Sequence, residues 1–149
     1  MIIDIYKDKD ISDLMPLLLE ADPSTESIKS YIETSVIFTG SINKNVVGVV
    51  VLNIDNYEVD INNIVVKKEY RCRGIGRGLM THILDFSKDI LIKIITVGTG
   101  NSSLIQLKFY QQFGFRIVGI IQNYFDEYPE PIYENGIRCR DLVRLELII

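Results

Sequence analysis

The stretch Arg71-Cys72-Arg73-Gly74-Ile75-Gly76 decides the interpretation of this sequence. It follows a β-branched run, Ile61-Asn62-Asn63-Ile64-Val65-Val66, and opens an amphipathic segment over residues 75–86. The order predicts a strand, a short basic glycine loop and a helix. Such a loop directs several backbone N–H groups and the positive end of a helix dipole at one spot, which makes an anion site. The glycines let a ligand approach the backbone and the arginines add positive charge, so a phosphate or pyrophosphate is expected.

Two common phosphate-binding motifs do not fit this loop. A dinucleotide fingerprint needs a third glycine at position 79, where the sequence has Leu79. A P-loop needs Gly-Lys followed by Ser or Thr, and the sequence contains no Gly-Lys pair. What remains is Arg-x-x-Gly-x-Gly. By itself this motif is also compatible with a glycine-rich start of a helix that binds no ligand.

The composition indicates an ordinary globular chain. The 149 residues are 47% hydrophobic, which is enough for a substantial core and predicts one domain over residues 1–149. The apolar run at residues 46–52 is much shorter than the ~20 residues of a membrane span, and the start of the sequence does not resemble a signal peptide. We therefore expect no membrane association. The net charge of −4 argues against a nucleic-acid partner and suits a cationic substrate.

Cysteine and histidine are too few for several kinds of site. Cys72 and Cys139 form no Cys-x-x-Cys pair, and His82 is the only histidine. No metal site and no His-based nucleophile relay are therefore expected. Unpaired cysteines are typical of a reducing compartment, which predicts a cytoplasmic protein. We interpret Cys72 as incidental to any covalent chemistry and His82 as a partly buried histidine.

Hydrophobic periodicity predicts about seven strands and four helices. The predicted strands are residues 2–6, 36–42, 46–54, 57–66, 91–97, 115–121 and 140–148. The predicted helices are residues 11–21, a second one capped by Ser24, residues 75–86, and a fourth one that is capped by Asn101 or Ser102 and ends near Gly114. A strand meander followed by strand–helix units is typical of an α+β fold with a mixed sheet.

A second motif supports the first. It consists of Asn-Ser-Ser-Leu at residues 101–104 and Phe-Tyr-Gln-Gln-Phe-Gly-Phe at residues 109–115. Together with Arg-x-x-Gly-x-Gly, this Asn…Tyr-x-x-x-Gly-Phe element resembles the GNAT acyltransferase superfamily, and the resemblance extends over about residues 36–147. It implies a single GNAT-like domain of the α+β class, with a mixed central sheet of about seven strands flanked by about four helices.

The resemblance also implies an N-acetyltransferase with acetyl-CoA (coenzyme A) as donor and a primary amine as acceptor. It places the pyrophosphate on the 71–76 loop, the pantetheine beside the strand that ends at Val66, and Asn101 and Tyr110 near the thioester. The implied cofactor-binding residues are Ile64, Val65, Val66, Arg71, Cys72, Arg73, Gly74, Ile75, Gly76, Arg77, Asn101, Leu104 and Tyr110.

The transfer needs a base for the amine and an acid for the thiolate. An alkyl ammonium with a pKa of about 10.4 must lose a proton before it attacks, and the leaving thiolate, with a pKa near 8.5, can take one. Tyr110 is the expected acid, with a purely structural core tyrosine as the alternative. Asp60 lies where many relatives have a glutamate, and Glu58 shares its strand face; each is a candidate base or a solvated carboxylate. Strand N–H groups near residues 64–66 are candidate oxyanion donors if a bulge leaves them unpaired.

Residues 123–135 combine acids with aromatics and contain no Lys or Arg. This composition suits a small cationic amine, through Coulomb attraction and cation–π contact, or else marks an acidic surface loop. The expected substrate-binding residues are Tyr124, Asp126, Glu127, Tyr128 and Glu130. Two other functions stay open: acetylation of a protein lysine or N-terminus, and a non-catalytic CoA-binding sensor or interaction module. A homodimer through the C-terminal strands is also compatible with the sequence.

Overall fold

A computed structural model describes residues 1–149 and divides into two compact units, residues 1–92 and residues 93–149. The main sheet has seven strands, and the chain has four α-helices. This confirms the α+β class and the expected numbers of sheet strands and helices. The extent of the domain, residues 1–149, stays a prediction. None of the helices combines the length and the apolar character needed to cross a membrane.

The first unit contains four strands and three α-helices. They are β1 (Ile2–Ile5), α1 (Met15–Ala21), α2 (Thr25–Ile32), β2 (Val36–Ile42), β3 (Asn45–Asp55), β4 (Glu58–Val66) and α3 (Ile75–Asp89), with a 3₁₀ turn at Lys68–Tyr70. The four strands lie in chain order, and each pairs antiparallel with the next. Tight turns join β2 to β3 and β3 to β4, near the gaps that the predicted strands leave at residues 43–45 and 55–56. Asn43, Lys44 and Asn56 have the positive φ angles of 49°, 65° and 52° that such turns require.

Helices α1 and α2 pack on one face of this sheet. Their buried cluster consists of Leu14, Leu17, Leu18, Ile28, Ile37, Val49, Val51 and Val65. Ser24 caps α2 as predicted, because its hydroxyl oxygen accepts a hydrogen bond from Ser27 N at 3.1 Å. Helix α1 begins at Met15, four residues later than predicted. Residues 11–14 form a turn before it, and Pro16 occupies its first turn, where a missing N–H has no cost.

Two paired glycines bring α3 onto the opposite face. Gly40 and Gly48 are direct partners in β2 and β3. A Cβ at Gly48 would lie only 2.7 Å from Leu79 Cδ1, and one at Gly40 would lie 3.2 Å from Leu79 Cδ2. Leu79 is fully buried. Because only glycine leaves this space open, the pair allows α3 to approach the strands closely.

The second unit contains five strands and one helix. They are β5 (Ile94–Gly100), α4 (Leu104–Gln112), β6 (Arg116–Ile121), β7 (Ile132–Glu134), β8 (Ile137–Cys139) and β9 (Leu142–Ile148). Strand β9 lies between β5 and β6 and pairs antiparallel with both. Strands β7 and β8 form a separate hairpin, which the sequence analysis did not predict. Its signal was present: Asn135 and Gly136, with φ angles of 55° and 72°, form the turn that an Asn-Gly pair favours between strands.

Two further local predictions in this part of the chain were wrong. The strand expected from residue 91 begins at Ile94, because Leu91 adopts a φ of 62° in the turn that follows α3. Helix α4 is not capped by Asn101 or Ser102. Its N-cap residue is Ser103, whose side chain makes no capping hydrogen bond.

Candidate active site

The basic glycine loop has the backbone geometry of an anion site. Cys72 and Gly74 have positive φ angles of 60° and 81°, so the chain turns sharply twice before α3 begins. Gly74 is the N-cap residue of α3, and no side chain caps this helix. A 15-residue helix therefore directs the positive end of its dipole at an exposed loop that provides no internal anion.

The two arginines of the loop have different partners. Arg71 Nε donates to Val66 O at 2.9 Å, and its Nη2 lies 2.9 Å from Glu20 Oε2. The Arg73 guanidinium lies 5.5 Å from the centroid of the Tyr70 ring, at cation–π distance, and forms no ion pair. Arg71 therefore holds the loop against the end of β4 and shares its charge with Glu20, whereas no carboxylate offsets the charge of Arg73.

Strand β4 contains a bulge at Asn62. Val51 pairs with Asn63 and Leu52 pairs with Ile61, so Asn62 is an extra residue without a partner in β3. The expected oxyanion donors near residues 64–66 require such an irregularity beside them. Those residues keep an unbroken register with β3, and the bulge lies before them.

The bulge decides which way Asp60 faces. Asp60 and Asn63 pair with Asn53 and Val51, two residues that lie on one face of β3. Asp60 and Asn63 therefore share a face although they are three residues apart. Val51 packs in the cluster formed with α1 and α2, so this is the face that those helices cover.

The two candidate bases have different surroundings. Asp60 is half-buried, and its Oδ2 accepts a hydrogen bond from Asn62 Nδ2 at 3.2 Å. Glu58 is exposed at the start of the strand. A partly desolvated carboxylate held by a neighbouring amide is better placed to take a proton from a bound substrate, which favours Asp60.

Asn63 connects the strand beside the bulge to both covering helices. Its side chain is 4% exposed, and Nδ2 donates to Leu18 O and to Tyr31 Oη, each at 3.2 Å. The Tyr31 hydroxyl in turn donates to Asp22 Oδ2 at 3.3 Å. This buried amide therefore helps to fix the position of the bulge relative to α1 and α2. Nothing in the sequence around Asn63 indicates this role.

Asn101 organises the connection between β8 and β9. Its Oδ1 accepts hydrogen bonds from the backbone N–H groups of Arg140 and Asp141 at 2.8 and 3.0 Å, and its Nδ2 donates to Arg138 O at 3.2 Å. Most of the hydrogen-bonding capacity of the Asn101 amide is therefore taken up by bonds within the chain. Leu104, three residues later at the start of α4, is 47% exposed.

Tyr110 is buried on α4. It is 4% exposed, and its ring centroid lies 5.6 Å from that of Phe109 and 5.8 Å from that of Phe115. Burial raises the pKa of the Tyr110 phenol far above its ordinary value of about 10. The phenol therefore keeps its proton throughout the physiological range. It can donate a hydrogen bond, but it does not provide an anion.

The loop after β6 contains an aromatic cluster and an ion pair. The ring centroids of Tyr124 and Tyr128 lie 5.0 and 5.2 Å from that of Phe125. The Asp126 carboxylate accepts two hydrogen bonds from Arg140, at 3.0 and 3.3 Å. These bonds hold the pKa of Asp126 below its usual range. The loop itself contains no cation, but the fold supplies one from 14 positions away, so the charge of Asp126 is already balanced.

The remaining acids of this segment are not equivalent. Glu134 accepts a hydrogen bond from Ser103 Oγ at 2.9 Å. Glu127 and Glu130 are exposed and belong to no ion pair. Glu127 and Glu130 are therefore the exposed carboxylates of the segment that have no cationic partner, whereas Glu134 is half-buried and keeps its charge beside the neutral Ser103 hydroxyl.

Groups of other reactive types are dispersed. No three side chains among His, Cys, Asp and Glu come together in a way that could hold a metal ion. Cys72 is exposed and Cys139 is buried, and both are free thiols. The half-buried His82 packs edge-to-face against Phe38, with ring centroids 5.1 Å apart, in agreement with a partly buried histidine.

Comparison with known proteins points to one family. A family model described as acetyltransferase (GNAT) family matches residues 5–115. The uncharacterized N-acetyltransferase YvbK of Bacillus subtilis (strain 168) is 41% identical over 137 residues, which are 91% of this chain and 88% of that protein. A GNAT family acetyltransferase from Elizabethkingia anophelis, solved with acetyl-CoA bound, is 37% identical and superposes with a TM-score of 0.93 over 99% of this chain and 97% of that one. An IAA acetyltransferase from Bacillus cereus ATCC 14579 is also 37% identical, with a TM-score of 0.92 over 99% of both chains.

Proposed function

The chain belongs to the GNAT acetyltransferase family, and from this premise we propose that it transfers the acetyl group of acetyl-CoA to the primary amine of a small cationic acceptor. The family makes it an acyltransferase with acetyl-CoA as its donor. The main support for the donor site is the N-terminus of α3, which no side chain caps and where the N-cap residue Gly74 has a left-handed conformation. It offers backbone donors and positive charge to the pyrophosphate without a side chain in the way.

We assign the donor contacts by combining the family resemblance with this geometry. The backbone of residues 71–77 receives the pyrophosphate, and Arg73 adds an unpaired positive charge beside it. Residues 64–66 of β4 run beside the pantetheine, and Leu104 offers it an exposed apolar side chain. Asn101 acts chiefly as a positioning residue, because its amide holds the backbone of residues 138–141.

Asp60 is the base in this proposal. It takes the proton of the ammonium directly or through an ordered water, and Asn62 keeps its carboxylate oriented. The attack produces a tetrahedral oxyanion that backbone N–H groups can stabilise. The N–H of Asn62 is a candidate donor, because the bulge removes this residue from the ladder with β3.

Tyr110 is the proposed acid. The departing CoA thiolate, with a thiol pKa near 8.5, is a weaker base than the phenolate of a buried tyrosine. The contribution of Tyr110 as the acid is therefore a hydrogen bond to the developing thiolate, in which the proton moves only partly toward the sulfur. Such a bond is stronger in a buried environment than in water, so the burial of Tyr110 strengthens its interaction with the thiolate.

Glu127 and Glu130 support a cationic acceptor. Both are exposed and belong to no ion pair. In the chain, Glu127 lies within the aromatic cluster of Tyr124, Phe125 and Tyr128, and Glu130 follows that cluster by two residues. Unbalanced carboxylates attract a cation from solution, and aromatic rings can hold its apolar part or its charge. Asp126 contributes less than the sequence implied, because Arg140 balances it. We also propose a cytoplasmic location, because both cysteines are unpaired thiols.

A turnover assay with two classes of acceptor tests this proposal. Release of CoA from acetyl-CoA would be followed with a panel of polyamines, amino sugars and aminoglycosides, and with peptides that bear a free N-terminus or a lysine. We expect kcat/KM to be higher for one of the small cations than for every peptide. Higher values for a peptide would favour a protein acetyltransferase. Binding of acetyl-CoA without turnover on any acceptor would favour the non-catalytic sensor.

The base assignment needs its own pair of variants. Asp60→Asn should lower kcat strongly at neutral pH, whereas Glu58→Gln should change it little. The Asp60→Asn variant should leave the dissociation constant for acetyl-CoA unchanged, because the base does not contact the donor. A stronger loss of kcat in Glu58→Gln than in Asp60→Asn would reverse the assignment.

A further inference from the structure

The β7–β8 hairpin lies against residues 100–103, which join β5 to α4. Each of these four residues contacts one hairpin residue, in reverse order along the chain: Gly100 with Cys139, Asn101 with Arg138, Ser102 with Asn135, and Ser103 with Glu134. The hairpin therefore supports the joining segment along its whole length. This segment leads into the helix that carries Tyr110, the acid of the proposed transfer.

Side-chain amides provide two of these contacts. Asn101 Nδ2 donates to Arg138 O at 3.2 Å, and Asn135 Nδ2 donates to Ser102 O at 2.9 Å. Each segment thus donates one side-chain hydrogen bond to the backbone of the other. Together the two bonds fix the orientation of the hairpin, because attachment at two separate points prevents rotation about either one.

The contact at Gly100 is steric. A Cβ at this position would lie only 2.4 Å from Sγ of Cys139, which is buried. The hairpin therefore reaches the last residue of β5 only because that residue has no side chain. With the two amide bonds, this close contact makes the hairpin a rigid support for Glu134 at the end of β7.

Glu134 supplies the negative charge that the start of α4 lacks. Ser103 is the N-cap residue of this helix, but its side chain makes no capping hydrogen bond, and the first turn contains no acid. The Ser103 hydroxyl instead donates to Glu134 Oε1 at 2.9 Å. The half-buried carboxylate therefore lies at the positive end of the helix dipole, and it belongs to no ion pair that would draw it away.

We propose that Glu134 is a positioning residue for acetyl transfer, because its bond to Ser103 fixes the start of α4 and thereby the placement of Tyr110. This role rests on the proposed function, in which Tyr110 is the acid. Helix α4 has nine residues, and Tyr110 lies two turns after Ser103, about 10 Å along the axis. A helix this short moves as one body, so a shift of its first turn also displaces Tyr110. Displacement of a catalytic group by about 1 Å can lower turnover by about 10²-fold.

A double-mutant cycle tests the proposal, with kcat for an amine that the wild type acetylates and the dissociation constant for acetyl-CoA as readouts. Glu134→Ala and Ser103→Ala should each lower kcat by about 10- to 100-fold, and the double variant should be no worse than the more affected single variant. The dissociation constant for acetyl-CoA should change by less than about three-fold, because residues 71–77 are untouched. Glu134→Gln keeps an oxygen that accepts the Ser103 bond and should restore most of the kcat. The matched control, Glu33→Ala, removes an exposed carboxylate in the other unit and should behave like the wild type.

Amide hydrogen exchange in the absence of acetyl-CoA measures the same support without relying on activity. The Leu107 N–H, which donates to Ser103 O at 2.9 Å, should exchange at least several-fold faster in Glu134→Ala than in the wild type. Unchanged exchange there would overturn the proposal.

The kinetic results separate this role from its alternatives. Normal turnover by Ser103→Ala, or losses of kcat that multiply in the double variant, would overturn the positioning role while leaving the proposed function intact. So would a Glu134→Gln variant in which only the KM for the amine rises, because Glu134 would then bind the acceptor directly. A wild type that acetylates no acceptor would refute the proposed function and this role with it.

Discussion

Substitution of Gly74 by asparagine and by aspartate separates charge from shape at the proposed pyrophosphate site. The two side chains have the same shape, and both tolerate the left-handed conformation that Gly74 adopts with a φ of 81°. A Cβ at this position meets no atom within 4 Å, so neither substitution causes a clash. The variants should therefore lose similar, small amounts of stability. They differ in one negative charge at the N-terminus of α3.

The effect of this charge on the donor can be estimated. Two unit charges about 4 Å apart repel by about 1 kcal/mol in water and about 4 kcal/mol at the effective dielectric constant near a protein surface. Because the loop is exposed, we expect the lower part of this range. Gly74→Asp should therefore bind acetyl-CoA about 10- to 100-fold more weakly than Gly74→Asn. The asparagine variant should stay within a few-fold of the wild type.

Thermal unfolding with acetyl-CoA provides the assay. At a ligand concentration of about 100 times the wild-type dissociation constant, binding adds about 2.7 kcal/mol to the free energy of unfolding. For a chain of this length that corresponds to a rise in Tm of about 5–10 °C. The same concentration should raise the Tm of Gly74→Asp by only about 1–5 °C, while Gly74→Asn keeps most of the wild-type shift. Titration calorimetry would give the dissociation constants directly.

Equal affinities of the two variants for acetyl-CoA would refute the reasoning. A charge directly at the helix N-terminus would then have no influence on the ligand, and the pyrophosphate could not lie there. If both variants lost binding equally while remaining folded, the shape of the loop rather than its charge would be decisive. That result too would contradict an anion site in this loop.

Three further predictions concern other parts of the chain. Tyr110→Phe should keep acetyl-CoA binding but lower kcat by about 10²- to 10⁴-fold. Because burial raises the pKa of Tyr110, the phenol ionises first in the unfolded chain, and the stability of the wild type should fall above about pH 10. The variant should lack this loss of stability. Glu127→Gln combined with Glu130→Gln should raise the KM for a polycationic amine several-fold and reduce its salt dependence, with the KM for acetyl-CoA unchanged. Asn63→Ala removes one buried and one half-buried hydrogen bond and should destabilise the chain by about 2–3 kcal/mol. Tyr31→Phe keeps the bond from Asn63 to Leu18, removes the bond from Asn63 and the longer bond to Asp22, and should cost about 1 kcal/mol.

Each of these predictions has a control and a contrary outcome. An unchanged kcat in Tyr110→Phe would make this residue an ordinary part of the core. For the acidic pair, Asp4→Asn combined with Glu33→Gln changes the net charge equally at exposed positions in the other unit. If this control raised the amine KM as much, the effect would come from total charge and the loop would have no special role. Equal melting temperatures of Asn63→Ala and the wild type would show that the buried amide does not brace the bulge.

Much of the fold could be predicted from the sequence because its determinants are local. The alternation of apolar residues indicates the strands, and the prediction for β2 matches its observed bounds, Val36–Ile42. Ser24 caps α2 through a hydrogen bond to a residue only three positions away in the sequence. The glycine loop and the uncapped start of α3 also follow from neighbouring residues. Backbone preferences and short-range hydrogen bonds act within a few residues, so a pattern in the sequence is enough to recognise them.

The tertiary structure determines which charged side chains pair and which face of a strand the helices cover. Nothing near Asp126 in the sequence indicates that Arg140 balances it, or that Glu20 lies against Arg71 across 51 positions. The bulge at Asn62 arises from the pairing of β4 with β3, and this one extra residue turns Asp60 to the face that α1 and α2 cover. Such contacts depend on which distant segments pack together. The sequence by itself therefore identified the type of fold and predicted the donor loop, and the packing of distant segments determined which carboxylates remain unpaired and which way Asp60 faces.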